Sequence, residues 1–186
     1  MLIIKSSPKL SCVQNLNTSV KVSVALLSHV PRPHVPAPQP IVTGKHDNFG
    51  EDLIINIHNG NLYYYDTSAG LGNRAQVLTS VAGANSPPTV ATKVLVSDVD
   101  LHVIAFGCDS EANPGTQDPL LIRFSDQRNA LDWQATVDNT AGDLKISSGS
   151  KIVTAVETKR EILVFTDTAL YSMQFIGPPD RDWETN

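Results

Sequence analysis

The sequence predicts an all-β chain, and three observations carry that reading. Short runs of β-branched and aromatic residues recur along it, turn residues punctuate them, and one segment alone, 125–133, offers a turn or two of helix. The expected architecture is antiparallel, with partial β-propeller-like blades behind a proline-rich N-terminal arm.

Three groups of runs justify the strands. Residues 51–57 and 62–66, "EDLIINI" and "LYYYD", flank an Asn59-Gly60 turn, a strong short-range signal for a hairpin. Residues 92–98 and 101–107 repeat the pattern across a turn at Val99 and Asp100, and "PLLIRFS" (119–125) follows a long Gly- and Asn-bearing loop. Residues 151–157, 161–167 and 169–176 make a third group. The runs "LIINI", "HVIAFG" and "ILVFT" align as irregular repeats, the spacing of small antiparallel units that cover one another's faces.

Between Pro31 and Pro40 stand five prolines, which fix backbone dihedrals and remove donors, so an extended arm is expected there. "VKVSVALL" before it has strand character. The expected organisation is a poorly ordered segment 1–45, a β-rich domain 46–179 and a tail 180–186.

Composition narrows the function. The chain has 186 residues, 41% hydrophobic and 18% charged, with a formal charge of -5. An acidic chain has no basic field for holding a phosphate backbone, so specific nucleic-acid binding is not expected. No apolar run reaches the roughly 18 residues of a membrane-spanning helix, and no membrane partner is expected. Cys12 and Cys108 lack metal-site spacing and read as free thiols. The start of the chain is only a poor match to a secretory signal.

Three segments carry the residues of candidate chemistry, "DTSAG" (66–70), "DNTAG" (138–142) and "TDTAL" (166–170). Paired aspartates can share a proton and activate water. None of the three has Gly directly after Asp-Thr or Asp-Ser, so Asp66, Asp138 and Asp167 read as turn formers that end strands. The loop 108–118 offers Asp109, Glu111 and Asp118 as oxygen ligands but lacks the calcium-loop ladder. His29, His34, His46, His58 and His102 have no metal-ligand spacing, 147–150 is not a nucleophile elbow, and "GLGN" (70–73) is not a phosphate loop. No catalytic residue, metal or cofactor is expected. Tyr63, Tyr64 and Tyr65 put two rings on one strand face and one on the other, a possible interaction surface.

The segments "DNFGEDL", "IRFSDQ-N-DW", "NTAGD" followed by "GS-IV", and "LVFTDTALY-MQ-IGPP" resemble a family of tailed-bacteriophage structural tail proteins, of the nozzle or tail tubular kind, over residues 47–179. The resemblance implies a noncatalytic virion component with a β-propeller-like fold. It would be assembled in the bacterial host cytoplasm, as a homo-oligomer and with other tail proteins, around a channel through which DNA passes as cargo. Asp126, Trp133, Asp167 and Tyr171 fall on the family's repeated signature, where they would frame blades, Trp133 as a packed anchor. Gly44, Lys45 and His46 stand where the family carries a Trp, and the sequence after "IGPP" departs from the pattern; the chain is therefore expected to hold the middle of a larger protein. The alternative from another class is a secreted β-propeller that binds or hydrolyses carbohydrate, using the tyrosine run and the acidic loop, with Asp126 among its carboxylates.

Overall fold

The computed structural model describes residues 2–6, 43–70 and 72–175, the first of these stretches by its backbone alone. The proline-rich arm, the 21–28 strand candidate, Cys12, His29, His34 and the 180–186 tail lie outside the described residues.

Among the described residues, twelve strands form three antiparallel sheets of four. The strands are β1 (Leu2–Ser6), β2 (Gly44–Phe49), β3 (Asp52–Ile57), β4 (Leu62–Tyr65), β5 (Gln76–Val77), β6 (Ala91–Val96), β7 (Val103–Cys108), β8 (Leu121–Phe124), β9 (Gly142–Lys145), β10 (Ile152–Glu157), β11 (Ile162–Thr166) and β12 (Leu170–Phe175). The first sheet is β2-β3-β4-β5 and the second β6-β7-β8-β9, both simple meanders. In the third, β10, β11 and β12 run in order, and β1 adds to the far edge by pairing with β12 from Leu2↔Phe175 to Ser6↔Tyr171. A strand of the third sheet thus comes from within the segment expected to precede the domain, and β2 starts at Gly44, two residues before the expected boundary.

The second sheet lies between the other two. One of its faces packs Val94, Val96, Val103, Ala105 and Leu121 with Ile54, Leu62 and Leu78 of the first unit. The opposite face packs Ile104, Phe106, Ile122 and Phe124 with Ile152, Ile162, Val164, Tyr171 and Met173 of the third sheet. This explains the sequence of the central strands: β7 and β8 are buried at every position, so they read as continuous apolar runs instead of alternating ones. β3 and β11 are covered on one side and show a period of two.

One expected element is not formed. Residues 125–133 form no helix: Arg128 takes φ 59°, Asn129 Oδ1 accepts the Leu131 amide at 3.1 Å, and the Asp126 amide reaches the Asp132 carbonyl at 2.7 Å. The left-handed residue and the local side-chain bond replace a helical ladder with two tight turns. The first hairpin turns at Asn59-Gly60 as the sequence predicts, with positive φ at Asn59, 54°, and a further role for Gly60. Its carbonyl accepts the Ala91 amide at 3.1 Å, tying the hairpin to β6, and a Cβ there would stand 3.1 Å from the Ile57 side chain. The only helix among the described residues is a 3-10 turn, Leu78–Ser80.

Candidate functional site

Aspartates that close or open strands act as clamps. Asp126 accepts the amide and the hydroxyl of Thr140, each at 2.8 Å. Asp167, directly after β11, accepts the Ser150 amide at 2.8 Å and its hydroxyl at 2.5 Å. Asp109, directly after β7, takes the Thr89 amide at 2.9 Å, the Thr89 hydroxyl and the Gly115 amide at 2.7 Å. Asp52, opening β3, takes the Thr67 amide at 2.9 Å and hydroxyl at 3.0 Å together with the Tyr64 hydroxyl. Each carboxylate thereby pins a loop 14 to 20 residues away in sequence. The sequence reading singled out Asp126 and Asp167 but missed this role for Asp52 and Asp109; the only local signal was an Asp at a strand boundary.

The bonds leave an electrostatic mark. The Tyr64 hydroxyl, against the opposing effect of burial, holds Asp52 below the usual carboxylate range. For Asp126 burial pushes upward, but the Thr140 bonds outweigh it and the net direction is down. Ser150 lowers Asp167 in the same way. These carboxylates are kept ionised by structural donors, which is turn chemistry and not the shared proton of a catalytic pair. Asp66 accepts its own Ser68 amide at 2.8 Å and hydroxyl at 2.6 Å, and Asp138 lies in an exposed loop turned by Thr136 and Asn139.

The other predicted residues take separate places. Trp133 is fully buried in the core between the first and second sheets, its Nε1 donating to the Ala130 carbonyl at 2.8 Å. Tyr171 is buried on the other side of the second sheet, and its hydroxyl accepts the Ser148 amide at 3.0 Å. In the acidic loop Asp109 is a buried clamp, Asp118 pairs with Lys145 at 2.5 Å, and exposed Glu111 accepts from Ser86 at 3.1 Å. They do not converge, and no group of three His, Cys, Asp or Glu residues suited to a metal occurs among the described residues. Exposed His58 meets the Thr92 carbonyl at 3.0 Å, His46 is exposed on β2, and His102 is buried against Phe124 and Phe175.

Among the described residues, two apolar sheet faces are left uncovered at opposite ends of the stack. Tyr64 packs into the core, so Tyr63 and Tyr65 project from the outer face of the first sheet, paired across strands with Ile55 and Leu53. On the third sheet Val164 points inward, and Leu163 and Phe165 project outward beside Val156 and Leu170. Val156 is 47% exposed, and the other three are half-buried at a surface that no other described strand covers.

A cavity of about 460 Å³ opens at the outer half of the second sheet, lined by Ser110, Glu111, Arg123, Trp133, Ala135 and Asp143 among others. Arg123 is only 4% exposed. Its Nη2 donates to the carbonyls of Ser86 at 2.7 Å and Trp133 at 3.3 Å, and Lys145–Asp118 is the one salt bridge among the described residues. The sequence reading did not single out Arg123; its only signal was a lone cation inside the apolar run "LLIRF".

No protein-family model, curated protein or solved structure matches the chain.

Proposed function

We propose that this chain is a noncatalytic assembly protein, a bacteriophage tail structural component whose sheets behave as consecutive propeller-like blades. The observation that carries the reading is the pair of open apolar faces at the two ends of a stack in which sheet already covers sheet. Inside the molecule, each face of the second sheet is sealed by a neighbour of the same four-stranded kind. The Leu53-Ile55-Tyr63-Tyr65 face and the Val156-Leu163-Phe165-Leu170 face offer the same kind of contact outward.

The occupant of these faces is a second copy of the chain. The two open faces differ in sequence, so contact between them is head to tail, and such contacts close into rings when the rotation per copy permits. The segments that resemble phage tail proteins point the same way, to a ring in the virion that contacts other tail proteins. The net charge of -5 suits a wall past which DNA moves without sticking. Light scattering on the purified chain tests the reading: a discrete multiple of 20.1 kDa supports it, and a monomer at all concentrations contradicts it.

A second reading, a carbohydrate-binding β-propeller, is favoured by one feature, the cavity that brings Glu111 and Asp143 together with the Trp133 wall. Asp109, Asp118 and Asp126, the other acids that this reading relied on, are committed to Thr89, Lys145 and Thr140.

A further inference from the structure

A guanidinium carries five N–H donors and stays charged in any protein environment. At Arg123 the two acceptors among the described residues both fall on Nη2, which leaves the Nε and Nη1 donors without a partner there. The one sealed side-chain nitrogen or oxygen lacking a partner among the described residues is Asn56 Oδ1. Arg123 Nε and Nη1 are therefore reached from outside, and the opening that Arg123 lines is the 460 Å³ cavity.

A nearly buried cation with no carboxylate within 4 Å is costly: Asp143, its register partner across β8 and β9, and Glu111 share the cavity but stand beyond that distance, and ordered water supplies acceptors but no counter-charge. A carboxylate does both, through charge-assisted bonds of the kind arginine makes best. The rim selects further. Glu111 and Asp143 are exposed carboxylates on the same cavity, and Ser110 adds a third polar residue, so groups flanking the bound carboxylate meet acceptors and must donate. Hydroxyls do so without adding charge. The volume lies within the range that holds a small organic ligand.

We infer that the Arg123 cavity is a binding site for a hydroxylated carboxylate, with a sugar acid as the class that fits. Its carboxylate meets Arg123, and its hydroxyls meet Glu111 and Asp143. The site is independent of how the chain assembles. It gives the carbohydrate reading a ligand class, and the test separates the two.

The experiment is titration of the full chain with D-glucuronate, D-glucose and acetate, followed by NMR at the Arg123 Nε–H signal and by calorimetry. Saturable binding of glucuronate at least tenfold tighter than glucose, with the Arg123 signal shifted, is expected, and acetate binds more weakly than glucuronate. Glucose binding as tightly as glucuronate would uphold a sugar site and overturn the carboxylate assignment. Acetate binding as tightly would uphold the cation site and overturn the sugar-acid class. No saturable response to any of the three overturns the site. Arg123→Gln should weaken glucuronate at least tenfold. Because Arg123 is buried, Ala135→Trp, a change at an exposed position that fills the cavity and keeps the cation, provides the same loss in a folded protein.

Discussion

The carboxylate of Asp126 holds Thr140 by its amide and its hydroxyl, both at 2.8 Å. The Thr140 hydroxyl gives its one proton to Asp126, so it can only accept from the Gln127 amide at 2.9 Å and from His102 Nε2 at 3.0 Å. One bond fixes the next, and the neutral His102 ring is set as the Nε2–H tautomer. Asp126→Ala and Thr140→Val should each destabilise the fold by about 1 kcal/mol, a value reduced for the partial exposure of the pair. In a double-mutant cycle by urea melts the two losses should be far from additive; full additivity would show that the clamp contributes nothing.

Stability should fall on acidification in two stages. Burial lowers the His102 pKa, against the pull of Asp100 and Asp126, so the folded state prefers the neutral ring. That contribution is complete above the unfolded value of about 6.5 and is lost as pH falls through the lower folded value. Asp52, Asp118 and Asp126 are lowered as well, so theirs is present above about pH 4 and lost below it. Glu157, raised by burial, works in the opposite direction. Urea midpoints across pH 3 to 8 check this, and His102→Gln should flatten the upper stage; an unchanged slope in that variant would remove His102 from the account.

Cys108 should be inert in the folded protein. Burial pushes its thiol up to about 12, and its Sγ faces the Ala105 and Leu121 carbonyls at 3.6 and 3.7 Å. In a Cys12→Ser variant, a thiol reagent at pH 8 should react only at the rate of unfolding. Fast stoichiometric labelling without denaturant would contradict the packing.

Trp133→Ala should cost about 3–5 kcal/mol, as removal of a large buried ring does. Trp133→Phe keeps most of the volume but leaves the Ala130 carbonyl unpaired, at about 1–3 kcal/mol. Chemical denaturation measures both, and equal losses in the two variants would mean that the indole N–H bond, not the ring, is the anchor.

How much the sequence disclosed depended on how each strand is covered. β3 and β11, covered on one side, showed their period, and β7 and β8, covered on both, showed apolar runs. β2, "GKHDNF", and β9, "GDLK", gave no apolar signal because pairing partners, not side-chain burial, place them. The helix expected at 125–133 failed on Arg128, whose positive φ no local pattern announced. Among the site residues, Asp167 and Asp66 were legible as turn formers from their own neighbours. The Asp109–Thr89 clamp and the Arg123 cavity join residues from separate loops and strands, and no local window holds them.

The central claim, head-to-tail contact through two different faces, is tested most directly by mixing two variants. One carries Tyr63→Asp and Tyr65→Asp on the first sheet, the other Leu163→Asp and Phe165→Asp on the third. Light scattering should find each variant alone monomeric and their equimolar mixture a one-to-one heterodimer, because one intact face of each kind remains. A mixture that stays monomeric while the unsubstituted chain is oligomeric would contradict the claim and place the contact elsewhere.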